Sequence, residues 1–196
     1  MNIGCLFGTF DPPHNGHVAV ADHMLRTQGL DAVWLIVTPR NPFKHDHAIS
    51  PDIHRLAMVR LAVAAKPGLE ASDAELGMPA PNYTVDTLRS LRARWPHAHF
   101  SLIIGGDNLA AFHRWKDPEG ILAHHRLLVY PRPGHLARLN PMLQRYSKQV
   151  CVADDAPLLD VSATRLRQDL AAGRTVADRM DPQVADYARL HRLYGA

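Results

Sequence analysis

Residues 32–37 (Ala-Val-Trp-Leu-Ile-Val) are six apolar residues in succession, and shorter, mostly apolar segments recur at residues 3–7, 100–104, 126–130 and 149–153, with Ser101, Arg126 and Gln149 as their polar members. A strand with one face in water alternates polar and apolar side chains, so a run without that alternation is covered on both faces. Segments of helical period lie between the runs. Val18, Ala21, Met24 and Leu25 mark a helix over residues 16–28 with Gly29 as its stop, and Val85, Leu88 and Leu91 mark another over 84–94. Ser50-Pro51 supplies an N-cap and first-turn proline for a helix reaching about residue 65; Pro67-Gly68 ends it, and a short strand follows near 69–71. Short helices fit residues 108–112 and 117–124, and Ser162 and Asp181-Pro182 open two final helices. Buried strands alternating with amphipathic helices predict α/β architecture, a doubly wound parallel sheet with helices on both faces. The expectation is one domain over residues 1–196, with a small helical C-terminal part from about residue 162.

At 196 residues the chain can bury roughly 70% of its unfolded surface, enough for an ordinary core. Twenty-two basic against 19 acidic residues leave a net charge of +3, too small and too scattered for the basic stripe of a nucleic-acid binder. Small anionic ligands suit it better. No apolar run approaches 18 residues, and the chain enters a strand pattern without the basic start and long apolar stretch of a signal peptide. We therefore expect a cytoplasmic protein without nucleic-acid or membrane partners. Cys5 and Cys151 lie far apart inside apolar segments and read as buried thiols in a reducing compartment.

In open parallel sheets ligands bind beyond the C-terminal ends of the strands. Directly after the first apolar run stands Gly8-Thr9-Phe10-Asp11-Pro12-Pro13-His14-Asn15-Gly16-His17, where a strand gives way to a helix. The unsatisfied N–H groups of a helix's first turn, together with the macrodipole, favour a phosphate there. Gly8 and Gly16 allow close approach, Pro12 and Pro13 stiffen the loop, and the imidazoles of His14 and His17 are hydrogen-bond donors for phosphate oxygens. The loop reads as cationic and preorganised. A metal pair is the competing reading of His14 and His17, disfavoured because no third ligand lies nearby in sequence. His45, His47, His97, His99, His124 and His125 read as solvated or capping.

This first loop resembles the G-x-F-x-P-x-H-x-G-H signature of the nucleotidylyltransferase superfamily at Gly8, Phe10, Pro12, His14, Gly16 and His17. Asn41-Pro42-Phe43-Lys44, Asn82-Tyr83-Thr84-Val85-Asp86-Thr87-Leu88, Ile104-Gly105-Gly106-Asp107-Asn108 with Trp115, and Val161-Ser162-Ala163-Thr164-Arg165-Leu166-Arg167 resemble, in order, the motifs of bacterial nicotinate mononucleotide adenylyltransferases. The resemblance spans essentially the whole chain and implies the Rossmann-like fold of that superfamily. Two departures stand out. Pro42-Phe43-Lys44-His45 replaces the usual Pro-Pro-His-Lys, keeping the lysine, and Ala163 stands where serine is common.

The resemblance implies attack by the 5′-phosphate of nicotinate mononucleotide on the α-phosphorus of ATP, with Mg²⁺ accompanying the nucleotide. It implies catalytic roles for His14, His17, Lys44 and Arg167, with ATP held by Gly8, Thr9, Phe10, His17, Gly105, Asp107, Ser162 and Thr164. The pyridine mononucleotide falls to Tyr83, Thr84 and Trp115, and no metal is held by side chains. Each assignment has a plainer counterpart: Trp115 as a packing aromatic, Asp107 as a helix cap. Two other functions compete, a phosphopantetheine adenylyltransferase of the same fold and a nucleotide-binding regulator without turnover. Oligomeric state and the preference between acid and amide acceptors are left open by the sequence.

Overall fold

The computed structural model describes residues 1–39, 49–132, 140–157 and 160–195. Its centre is a six-stranded sheet of β1 (Asn2–Gly8), β2 (Ala32–Val37), β3 (Leu69–Ser72), β4 (His99–Gly105), β5 (Arg126–Tyr130) and β6 (Val150–Val152). The strands run in the order β3-β2-β1-β4-β5-β6, and every pairing is parallel. Successive strands are added on one side of β1 up to β3 and on the other from β4 onward, and this switch in winding opens a crevice at the C-terminal ends of β1 and β4.

The helices are α1 (Asn15–Thr27), α2 (Asp52–Val63), α3 (Thr84–Arg94), α4 (Gly106–Ala111), α5 (Pro118–His124), α6 (Pro141–Arg145), α7 (Ala163–Ala171) and α8 (Pro182–Leu190). The two-residue period of the strands divides the core. Leu6, Val33, Leu35, Ile103 and Leu128 face α1 and α2 through Val20, Met24 and Val59. Ile3, Cys5, Ile36, Leu102 and Leu127 face α3, α4 and α5 through Leu88, Leu109 and Ile121. Both faces are covered, which is why β2 shows no polar alternation. A third cluster packs Met58 and Ala62 of α2 against Leu166 and Leu170 of α7 and Val184 and Ala188 of α8.

The expected elements form, with differences at their ends. Helix α2 begins one residue later than the Ser50-Pro51 pattern suggests, with Pro51 as its N-cap, and α6 was not anticipated. Cys5 is buried as expected, whereas Cys151 on the edge strand is only partly so. Of the two expectations for His125 the capping one holds, since it is the C-cap of α5, but it is not solvated: it is buried and its ring Nδ1 bonds the carbonyl of Phe100 at 2.8 Å. Among the described residues no helix is long and apolar enough to cross a membrane.

Candidate active site

Strand β1 ends at Gly8, and the loop that follows turns through Phe10 at a φ of +48°. A bulky side chain seldom adopts that conformation, and here it sends the Phe10 ring into the core beneath the loop. A methyl group on Gly8 would lie 2.8 Å from that ring, so only glycine leaves the space Phe10 occupies. His17 sits in the first turn of α1, edge-on to the Phe10 ring with centroids 4.9 Å apart. His14, the N-cap of α1, stacks on His17 at 3.7 Å between centroids and 20° between planes.

The hydrogen bonds fix one tautomer. The backbone N–H of His14 donates to Nδ1 of His17 at 3.3 Å, so a neutral His17 carries its proton on Nε2. The two rings line a small solvent-connected cavity with Gly16, Tyr130 and Arg132. Burial, then the neighbouring Arg132 guanidinium, pull the His14 pKa down to about 4. Burial, His14 and Arg132, in that order, hold His17 well below the usual imidazole range. The expectation of a cationic loop is thereby corrected. At neutral pH the imidazoles are uncharged, because burial first, and then the neighbouring ring and guanidinium, oppose protonation, and the positive charge belongs to Arg132.

Gly105 ends β4 and Asp107 lies in the first turn of α4. A Cβ at Gly105 would fall 2.3 Å from Oδ1 of Asp107, so the carboxylate folds back into space that only glycine leaves. Oδ1 of Asp107 and Nε of Arg132 are both buried without a hydrogen-bond partner and stand 3.6 Å apart. That separation is ion-pair range but beyond hydrogen-bond reach, leaving a donor and an acceptor open beside the cavity. His14 Nδ1 is likewise buried and unpartnered.

From α7, Nη1 of Arg167 donates to the carbonyl of Asp11 at 2.7 Å and Nη2 to Thr164 Oγ1 at 3.2 Å, while Arg165 turns away to Asp160. Arg167 is therefore against the loop. Ser162 is the N-cap of α7 with its hydroxyl uncommitted to the helix. Thr9 contributes its carbonyl to the buried Arg55. Tyr83 caps α3, Thr84 opens it, and Lys116 lies 4.4 Å over the Tyr83 ring while pairing with Asp86 at 2.7 Å. The segment carrying Trp115 thus meets the start of α3. Trp115 is half-buried against Phe112, so part of its plainer packing role is real. Lys44 lies outside the described residues. Sequence reading missed Arg132, although a basic residue just past the end of β5 is where the strand-end rule points. It also missed Glu75, a buried carboxylate accepting from Thr87 Oγ1 at 2.7 Å behind the Tyr83-Thr84 turn.

A crevice at a topological switch point, entered by a helix N-terminus with two paired imidazoles, defines a nucleotidyl-transfer class of site, and residues 5–169 match the cytidylyltransferase-like family model. The chain is 39% identical over 194 residues to a probable nicotinate-nucleotide adenylyltransferase of Flavobacterium psychrophilum, covering 99% of each. It is 40% identical over 181 residues to the one of Bacteroides fragilis, covering 92% of this chain and 88% of that one. The chain belongs to the nicotinate-nucleotide adenylyltransferase family. In fold it is similar to the Plasmodium falciparum nicotinic acid mononucleotide adenylyltransferase complexed with NaAD. That match has a TM-score of 0.77 at 17% identity over 98% of this chain and 97% of the other.

Proposed function

We propose that the protein transfers AMP from ATP to nicotinate mononucleotide, giving nicotinate adenine dinucleotide and pyrophosphate in NAD biosynthesis. A phosphate oxygen of the mononucleotide forms the new bond to the α-phosphorus, and the bond from that phosphorus to the β-phosphate bridge breaks. The incoming nucleophile is already anionic, so the protein's work is to align two repelling phosphates and stabilise the charge that spreads between them. The observation carrying this reading is the stacked His14–His17 pair in the cavity, with Nε2 of His17 holding a proton and Arg132 alongside. Gly8, Thr9 and Phe10 shape the floor of the triphosphate site, and Ser162, Thr164 and Arg167 approach from α7. Gly105 and Asp107 take the adenosine ribose, where the open carboxylate oxygen accepts from a hydroxyl. Lys44 belongs to the β- and γ-phosphates by its place in the motif. Tyr83, Thr84 and Trp115 take the pyridine ring and its carboxylate.

Among the described residues no three His, Cys, Asp or Glu side chains gather to cage a metal. Mg²⁺, which the family resemblance implies, would be held by the phosphates of ATP and would supply charge neutralisation for the departing pyrophosphate. The test is pyrophosphate release from ATP and Mg²⁺ with nicotinate mononucleotide, its amide, or phosphopantetheine in parallel. Fastest release with the nicotinate acceptor supports the proposal. Release chiefly with phosphopantetheine, or ATP binding without release under any acceptor, overturns it.

A further inference from the structure

Asp11 is 5% exposed and gathers three distant parts of the chain. Its Oδ2 accepts from the backbone N–H of Ser50 at 3.1 Å, ahead of α2, and its carbonyl accepts from Arg167 of α7. Its Oδ1 accepts from the hydroxyl of Tyr194 at 2.7 Å, 183 residues away in sequence. Tyr194 reaches it from a left-handed backbone conformation, φ +65°, between the buried Leu193 and Gly195. A bulky side chain in that region is strained, and such strain persists only where its surroundings enforce it.

We propose that Tyr194 is a positioning residue for the nucleotide loop: its hydroxyl fixes the Asp11 carboxylate, and Asp11 in turn sets the entry of the loop that carries His14 and His17 and the anchor point of Arg167. Asp11 lies one residue beyond the strained Phe10, so any rotation at Asp11 passes directly into the seat of the imidazole pair. Burial and the charge of Asp11 keep the Tyr194 phenol protonated well beyond the ordinary range, which maintains it as a donor. No other side-chain donor to Asp11 Oδ1 is present among the described residues, so the phenylalanine variant leaves that oxygen without its bond.

The inference rests on reading this loop as the ATP site, and its test separates the two. In Tyr194→Phe we expect turnover to fall about tenfold, the loss typical of a hydrogen bond to a charged group, with KM for either substrate within about twofold. Adding Tyr194→Phe to Asp11→Asn lowers turnover less than about twofold further, since the two act through one bond. Without any ligand, the ¹⁵N resonances of the His14 and His17 rings shift in Tyr194→Phe while those of the buried His125 stay in place. If the wild type releases no pyrophosphate but these rings still shift selectively, the proposed function fails and the positioning role stands. Unchanged ring resonances, unchanged turnover of an active enzyme, or full multiplication of the two single losses overturns the positioning role.

Discussion

At the residue scale the proposed reaction would draw on donors that are present without being charged. Nε2–H of His17 faces the cavity because Nδ1 is engaged by the His14 backbone, and burial keeps the ring neutral. Removing one preorganised donor of this type costs about 10²–10³ in rate. We expect His17→Ala to lower turnover by at least that factor while its circular dichroism stays that of the wild type, measured by pyrophosphate release. The spacing of His14 and His17 made them legible in the sequence as a phosphate pair. Their charge state was not legible, because it depends on a 3.7 Å stack and on Arg132, 115 positions beyond His17 in the numbering of the chain. Asp11 stood in plain view inside the motif, but its partners Ser50 and Tyr194 belong to other elements, and no local pattern announces them.

At the scale of elements, the site is assembled by one buried guanidinium. Arg55 of α2 has no exposed surface and donates to the carbonyls of Thr9 at 2.6 Å, Thr38 at 2.8 Å and Ser50 at 3.0 Å, while pairing with Asp52. It therefore holds α2 to the loops leaving both β1 and β2. Replacing it with methionine keeps an unbranched side chain but leaves three carbonyls without their donor, while the partly exposed Asp52 carboxylate turns to water. We expect Arg55→Met to lose about 3 kcal/mol, since each acceptor left unsatisfied costs on the order of 1 kcal/mol or more, read as a lower urea midpoint. The strands and major helices were legible because their periodicities are strong, and the covered character of β2 followed from its unbroken apolar run. Helix α6, five residues long, is opened by an Asn140 cap and Pro141, a signal too short to separate from a turn. Arg55 itself reads in sequence as an ordinary helical arginine. Its burial is a product of three loops converging, which only the fold supplies.

At the scale of the whole molecule, buried neutral histidines link stability to pH. His14 has a folded pKa of about 4 against an ordinary 6.5, and His17 and His125 are shifted in the same direction, burial being the leading cause in each. The unfolded chain therefore binds more protons than the folded one below pH 6.5. Stability is complete above that value and drains away as the pH falls toward 4. His14 alone removes roughly 2 kcal/mol by pH 5. We expect the urea midpoint to drop between pH 7.5 and pH 5, and to drop less in a His14→Asn variant; equal slopes for the two proteins would refute the assignment. Strand β1 has a further consequence. It precedes the other five strands in the chain yet sits in the middle of the sheet, with β2 on one side and β4, residues 99–105, on the other. During synthesis the three-stranded half β3-β2-β1 waits with a bare ladder along β1 while residues 73–98 and then β4 emerge, and in refolding from denaturant the same edge stays open until β4 docks. An open edge of that kind invites pairing with another chain, so recovery on refolding is expected to fall with protein concentration and to improve when a holdase chaperone shields the half-built sheet.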